Sequence, residues 1–189
     1  MLFRSPDGPC GRAAFEAHVR TSREVAGLVN PTDPTPGPAP EGWDWSAWDL
    51  PVPHPFTMRL SVDHSHMGSI IRHVPNVEYV RWFEVLAVAH SDALGFTETW
   101  YRKHNLIWFV KRHEIDYKAE VREGDDLVLA TWVEGFEKAR SQRGYFIARI
   151  SDRRAVARGR TEWVLVSRDT SRPQRIPADA ARRFIESTR

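Results

Sequence analysis

The side chains of this 189-residue chain best suited to moving a proton are concentrated between Asp63 and Glu78, where His64, His66 and His73 join the two acids. A neutral imidazole, with an ordinary pKa of about 6.5, accepts a proton from water at pH 7. Asp63 lies three residues before His66 and is near enough in sequence to orient an imidazole, while Glu78 follows Pro75 in what reads as a first helical turn. Histidines two apart on an extended loop could share a metal ion, but no third ligand is fixed by spacing and no metal is expected. A second group of interest is basic. Lys138, Arg140 and Arg143 follow Gly135 around a turn and the start of a strand, where charge would attract an anion although a solvated hairpin edge is the simpler reading.

These residues need a scaffold, and the hydrophobic spacing supplies one. Thr57 to Val62 alternates like a half-buried strand. From Pro75, a stripe of Val77, Val80, Phe83, Leu86, Val88 and Leu94 predicts one long helix that stops at Gly95. Strand-like runs follow at Leu106 to Val110, His113 to Tyr117, Asp126 to Val133, Tyr145 to Ser151 and Ala155 to Val166. Turn signals stand between them at Glu123-Gly124-Asp125 and at Ser151 to Arg154. One broadly apolar helix followed by four or five antiparallel strands implies a sheet wrapped around that helix, an α+β domain.

Ahead of the domain, residues 12–29 carry a thin helical stripe. Residues 31–55 then hold eight of the thirteen prolines, interrupted by Trp43, Trp45 and Trp48. Proline favours extended chain. Three indoles in six residues are too much apolar area to leave in water, so this strap is expected to pack on the domain or on a partner chain. The division is therefore residues 1–55 as an N-terminal helix and strap, and 56–189 as the main domain. The composition is globular, with 41% hydrophobic and 28% charged residues. A formal charge of +2 falls short of the focused basic stripe of a nucleic-acid binder. A single cysteine, Cys10, excludes an internal disulfide and any thiolate cluster. The sequence shows neither an apolar run long enough to span a membrane nor an apolar leader, so the expected location is the cytoplasm.

Three stretches resemble the hotdog-fold acyl-CoA and acyl-carrier-protein thioesterases, in the branch related to 4-hydroxybenzoyl-CoA thioesterase. They are His64 to His73 leading into Val74-Pro75-Asn76-Val77-Glu78-Tyr79, then Ile115-Asp116-Tyr117 running to Gly124-Asp125, then Arg172-Pro173-Gln174-Arg175-Ile176-Pro177. The resemblance spans roughly residues 56–177 and implies a single hotdog domain, with an antiparallel sheet around one central helix. It implies a hydrolase that releases a carboxylic acid from an acyl thioester, with no cofactor beyond the CoA or phosphopantetheine of the substrate. It also implies a homodimer or homotetramer with active sites between subunits, and the thioester near the start of the helix. Helix-start amides there would polarise the carbonyl. Substrate contacts by Gly68, Asn76, Val77 and Tyr79 follow from the same resemblance, as do CoA-phosphate contacts by Lys138, Arg140 and Arg143.

At the position where the family places its catalytic aspartate, this chain has His66. The catalytic set is therefore expected among His66, Asp63, Glu78 and His73, with His66 oriented by Asp63 or Glu78 itself as the base toward water. The alternative is a hotdog protein that binds an acyl thioester, or a polyketide or aromatic acid, without hydrolysing it. Asn76 as a helix cap and Tyr79 as core are the simpler readings of those two residues.

Overall fold

A computed structural model describes residues 32–68 and 72–189, so the expected helix over residues 12–29 lies outside the described residues. The elements run β1 (Thr35–Pro36), a 3₁₀ turn (Trp45–Trp48), β2 (Phe56–Ser61), a second 3₁₀ turn (His64–His66), α1 (Asn76–Ala93), α2 (Glu98–Lys103), β3 (Leu106–Tyr117), β4 (Asp126–Glu137), β5 (Arg140–Arg149), β6 (Arg154–Ser167) and α3 (Ala178–Glu186). The strands form one antiparallel sheet in the order β1-β2-β4-β5-β6-β3.

Alternation along the strands sorts the side chains onto two faces. The inner face presents Met58, Leu60, Leu127, Leu129, Tyr145 and Ile147 to Tyr79, Trp82, Phe83 and Leu86 of α1. The helix lies unusually close at one point. Phe83 stacks on Tyr145 with ring centroids 4.2 Å apart, and a Cβ built on Gly159 of β6 would fall 2.2 Å from the Phe83 ring. Only a glycine lets the helix seat there.

The outer face, built from Val128, Ala130, Trp132, Phe146 and Ala148, is covered by the strap. Trp43 and Trp48 stack at 5.6 Å, and Trp48 lies 5.0 Å from Phe146. Arg158 donates to the Trp48 carbonyl and sits over the Phe146 ring. The strap also supplies β1, which pairs with the edge of β2 and places Pro36 where a missing N–H is tolerated. The tryptophans thus pack on the domain itself, which covers part of their apolar area.

Two departures from the sequence-based expectation have clear causes. Leu106 to Val110 and His113 to Tyr117 form a single strand, because the register irregularity between Val110 and Arg112 lets the chain run on and Lys111 finds Glu162 at 2.9 Å on the next strand. The second departure adds two helices to the one expected in the main domain. α2 is short and capped by Thr97, and α3 packs Ala180 and Phe184 against Phe96 and Val133.

α3 is fastened to α1 through His90, which is 1% exposed. The His90 Nε2–H donates to Ser187 Oγ at 3.0 Å, and Ser187 in turn donates to the Phe184 carbonyl at 2.8 Å. His90 Nδ1 accepts from Arg143 Nη1 at 3.0 Å. Burial, reinforced by the Arg143 charge, pushes the His90 pKa from 6.5 down to about 2.

Two predictions follow from this packing. Gly159→Ala should lower the unfolding free energy by about 1–3 kcal/mol through overpacking. In a double-mutant cycle with Phe83→Leu the two losses should be less than additive; full additivity in urea titrations would refute the close contact. The second concerns acid. Because the folded-state pKa of His90 is depressed, its contribution to stability is complete above the unfolded pKa of about 6.5 and is lost as pH falls toward 2, by about 1.4 kcal/mol per pH unit. His90→Gln keeps an acceptor and a donor but cannot titrate, so the slope of stability between pH 6 and 5 should drop by about one proton; equal slopes would count against a neutral buried His90.

Candidate active site and acyl cleft

The loop before α1 is built on a reciprocal cap. Asp63 accepts from the Ser65 amide at 2.9 Å and from its hydroxyl at 2.6 Å, and these bonds hold its carboxyl below the usual range, the Ser65 hydroxyl contributing most. In return the Asp63 amide donates to His66 Nδ1 at 3.1 Å. His66 Nε2 donates to the Thr32 carbonyl at 2.7 Å, and the ring, 1% exposed, packs edge-on near Trp82. Both nitrogens are engaged, with Nδ1 accepting and Nε2 carrying the hydrogen. This imidazole ties the strap to the loop. Asp63 Oδ1 lies 3.0 Å from the same Nδ1, so the two residues expected to cooperate are in contact.

The rest of the expected set disperses around the start of α1. Pro75 caps the helix without a side-chain bond, which leaves the first-turn amides of Asn76 and Val77 without a side-chain cap. Both residues are exposed, Val77 by 67%. Glu78 sits in that turn, its carboxylate 20% exposed and bonded to Arg81 Nε at 2.9 Å. Arg81 also pairs with Asp33 of the strap. Gly68 donates to the His73 carbonyl at 3.3 Å. His73 is half-buried. Tyr79 is turned away from this surface into the core, 3% exposed between Trp82 and Tyr117, and burial pushes its pKa up to about 12.

The three bases after Gly135 do not form one patch. Lys138 stands in the β4–β5 turn with φ 54°, and Arg140 is exposed 3.5 Å from Glu162. Arg143 is on the opposite face, since strand side chains alternate with period two. It points inward, only 5% exposed, against α1 and α3. Four polar residues in a row (Arg140 to Arg143) hid the start of β5, because Ser141 and Arg143 occupy positions where an apolar side chain is the usual strand signal.

Arg143 lines a cleft at the C-terminal half of α1 that encloses roughly 1030 Å³, its open mouth included. The walls are largely apolar and include Val88, Phe96, Leu106, Trp108, Phe136 and Phe184. Trp108 Nε1 donates to the Tyr101 hydroxyl at 2.9 Å, fixing one wall. Asp92 and Glu98 stand exposed at the lining's edge, and burial together with the Glu98 charge raises the Asp92 pKa. Val77, Arg81, Glu84, Val88 and Ser91 recur at spacings of three and four, so one face of α1 runs from the helix start to this cleft. This second use of the helix has no signal in its apolar stripe, because α2 and α3, which complete the walls, come together only in the fold. Among the described residues no group of three or more His, Cys, Asp or Glu is placed to hold a metal, and no helix is long and apolar enough to cross a membrane.

Solved structures with the same sheet-and-helix arrangement include a putative oleoyl thioesterase from Lactobacillus plantarum, 18% identical with a TM-score of 0.63 over 68% of this chain and 49% of that one. Another is the DHNA-CoA thioesterase from Staphylococcus aureus, 24% identical with a TM-score of 0.57 over 63% of this chain and 78% of that one. At these identities the likeness establishes the hotdog fold. In sequence, the chloroplastic oleoyl-acyl carrier protein thioesterase of Coriandrum sativum is 22% identical over 102 residues, which are 51% of this chain and 28% of that protein. The match thus spans little more than a quarter of that relative's length. A family model described as the thioesterase-like superfamily matches residues 49–184, from the end of the tryptophan strap through every strand from β2 to β6 and most of α3, and the chain belongs to that superfamily.

Proposed function

We propose that this protein hydrolyses an acyl thioester of CoA or of an acyl carrier protein, with water as the acceptor. The observation that carries the reading is the continuous α1 face that joins uncapped first-turn amides to an apolar cleft. An acyl group laid in the cleft would bring its thioester toward Asn76 and Val77. Their amides and the positive end of the helix would stabilise the oxyanion as water adds to the carbonyl carbon.

Glu78 is the base we assign. It lies in the same first turn as those amides, retains an exposed edge, and is held by Arg81 rather than enclosed. Its carboxylate takes the proton from the attacking water; the C–S bond then breaks, and that proton passes to the departing thiolate, giving a carboxylic acid and a free thiol. His66, bonded at both nitrogens, is assigned to holding the loop with Asp63, and His73 to the same loop. Lys138 and Arg140, exposed on the β4–β5 turn, are the bases we assign to the CoA phosphates. β3 has one side without a strand partner among the described residues, and we assign it as the edge along which two protomers pair.

One observation favours a second reading, binding without hydrolysis: the family's aspartate position is occupied by a histidine with no free nitrogen. Thiol release from a panel of acyl-CoAs and acyl-pantetheines separates the two. Glu78→Gln should lower kcat by about a hundredfold or more, the scale of a removed general base, with the melting temperature little changed. His66→Ala should mainly lower the melting temperature, because it removes the bonds to the Thr32 carbonyl and from the Asp63 amide. A hundredfold kcat loss in His66→Ala with Glu78→Gln fully active would transfer the role to His66, and no turnover of any thioester that still binds would establish the second reading.

A further inference from the structure

Arg143 places a positive charge, almost wholly buried, in the lining of an apolar cleft. A guanidinium stays protonated in a protein, and leaving one buried without an anion is costly. Its neighbours here are neutral. Nη1 donates to His90 Nδ1 at 3.0 Å and to Thr131 Oγ1 at 3.3 Å, and the guanidinium carbon lies 5.5 Å from the Phe184 ring centroid. Among the described residues Arg143 has no salt-bridge partner, and both of its hydrogen bonds are made by Nη1. The acids of the cleft stand elsewhere: Asp92 and Glu98 are exposed, Glu98 is paired with Arg102 at its outer side, and Glu84 is on the α1 face nearer the helix start.

The surroundings also fix the side chain in place. His90 is held by Ser187, and Ser187 by the Phe184 carbonyl, so α3 and α1 together hold the fork in one orientation. A preorganised fork with two sides unused matches a carboxylate. Its distance from the start of α1 indicates which carboxylate. Glu78 and His90 are twelve residues apart on α1, about 18 Å of helical rise. A thioester at the helix start would therefore put its acyl chain, not its reacting carbonyl, beside Arg143.

We propose that Arg143 makes this cleft selective for an acyl group whose far end carries a carboxylate, so that the preferred substrates are monothioesters of long dicarboxylic acids. This deepens the thioesterase reading and rests on it for the position of the thioester. Apolar walls would take the methylene chain, and the buried guanidinium would take the terminal carboxylate that a plain fatty acyl group lacks.

The test compares the CoA monothioester of hexadecanedioic acid with hexadecanoyl-CoA on the full-length protein. Wild type should favour the dicarboxylic substrate by at least about tenfold in kcat/KM, the scale of one charge-assisted bidentate contact. Arg143→Met, which keeps an apolar side chain of similar length, should reverse the preference. A wild-type ratio near one, or in favour of hexadecanoyl-CoA, overturns the proposal; a carboxylate donated to Arg143 by a second copy of the chain would produce that result. A ratio unchanged in folded Arg143→Met also overturns it. Should that variant not fold, the wild-type ratio alone decides. If neither thioester is hydrolysed, both remain intact, and their dissociation constants by calorimetry give the same ratio, so a failure of hydrolysis is distinguished from a failure of selectivity.

Discussion

The close approach of α1 to the sheet at Gly159 is the constraint around which the domain is organised. With no side chain at that position, the Phe83 ring descends onto β6 and stacks on Tyr145 of β5, bringing one helix within reach of several strands at once. From that seat the helix start and its far end diverge in character. The start, capped only by Pro75, offers amides to solvent. Toward the far end, His90 turns into the interior and carries the hydrogen bonds that anchor both α3 and Arg143. One packing contact thus seats a helix whose start is polar and whose far half borders a mostly apolar cleft.

Much of the scaffold was legible in the sequence because each signal was local. Pro75 and Gly95 punctuate α1, and alternation marks most of β2, β4 and β6 within a few residues of their limits. The strap was legible as well, since three indoles have to be covered somewhere. What escaped were features decided by tertiary contact. Ser141 and Arg143 look like hairpin surface until α1 and α3 close over them, and the second half of β3 looks like a new strand until Lys111 is seen to reach Glu162.

The candidate site was legible as a neighbourhood and not as a set of roles. The residues from Asp63 to Glu78 do gather before and within the first turn of α1. The geometry of the cap then distinguishes them: Asp63 and His66 bind each other and the strap, while Glu78 stays at the surface under Arg81. A period-two argument places Arg143 opposite Arg140, yet no local pattern announces a buried cation, because the groups that surround it come from β4, α1 and α3.

The strap has a kinetic consequence as well as a structural one. Its bond from Trp48 to Arg158 joins residues 110 apart in sequence, and its ring contacts reach Phe146. Closing so long a loop carries a larger entropy cost than forming the hairpins between, so these contacts come late in folding. During synthesis the strap leaves the ribosome before the strands that will cover it. Trp43, Trp45 and Trp48 must therefore stay in water until β5 and β6 have been made, and that interval is when the chain is most exposed to aggregation and to capture by chaperones.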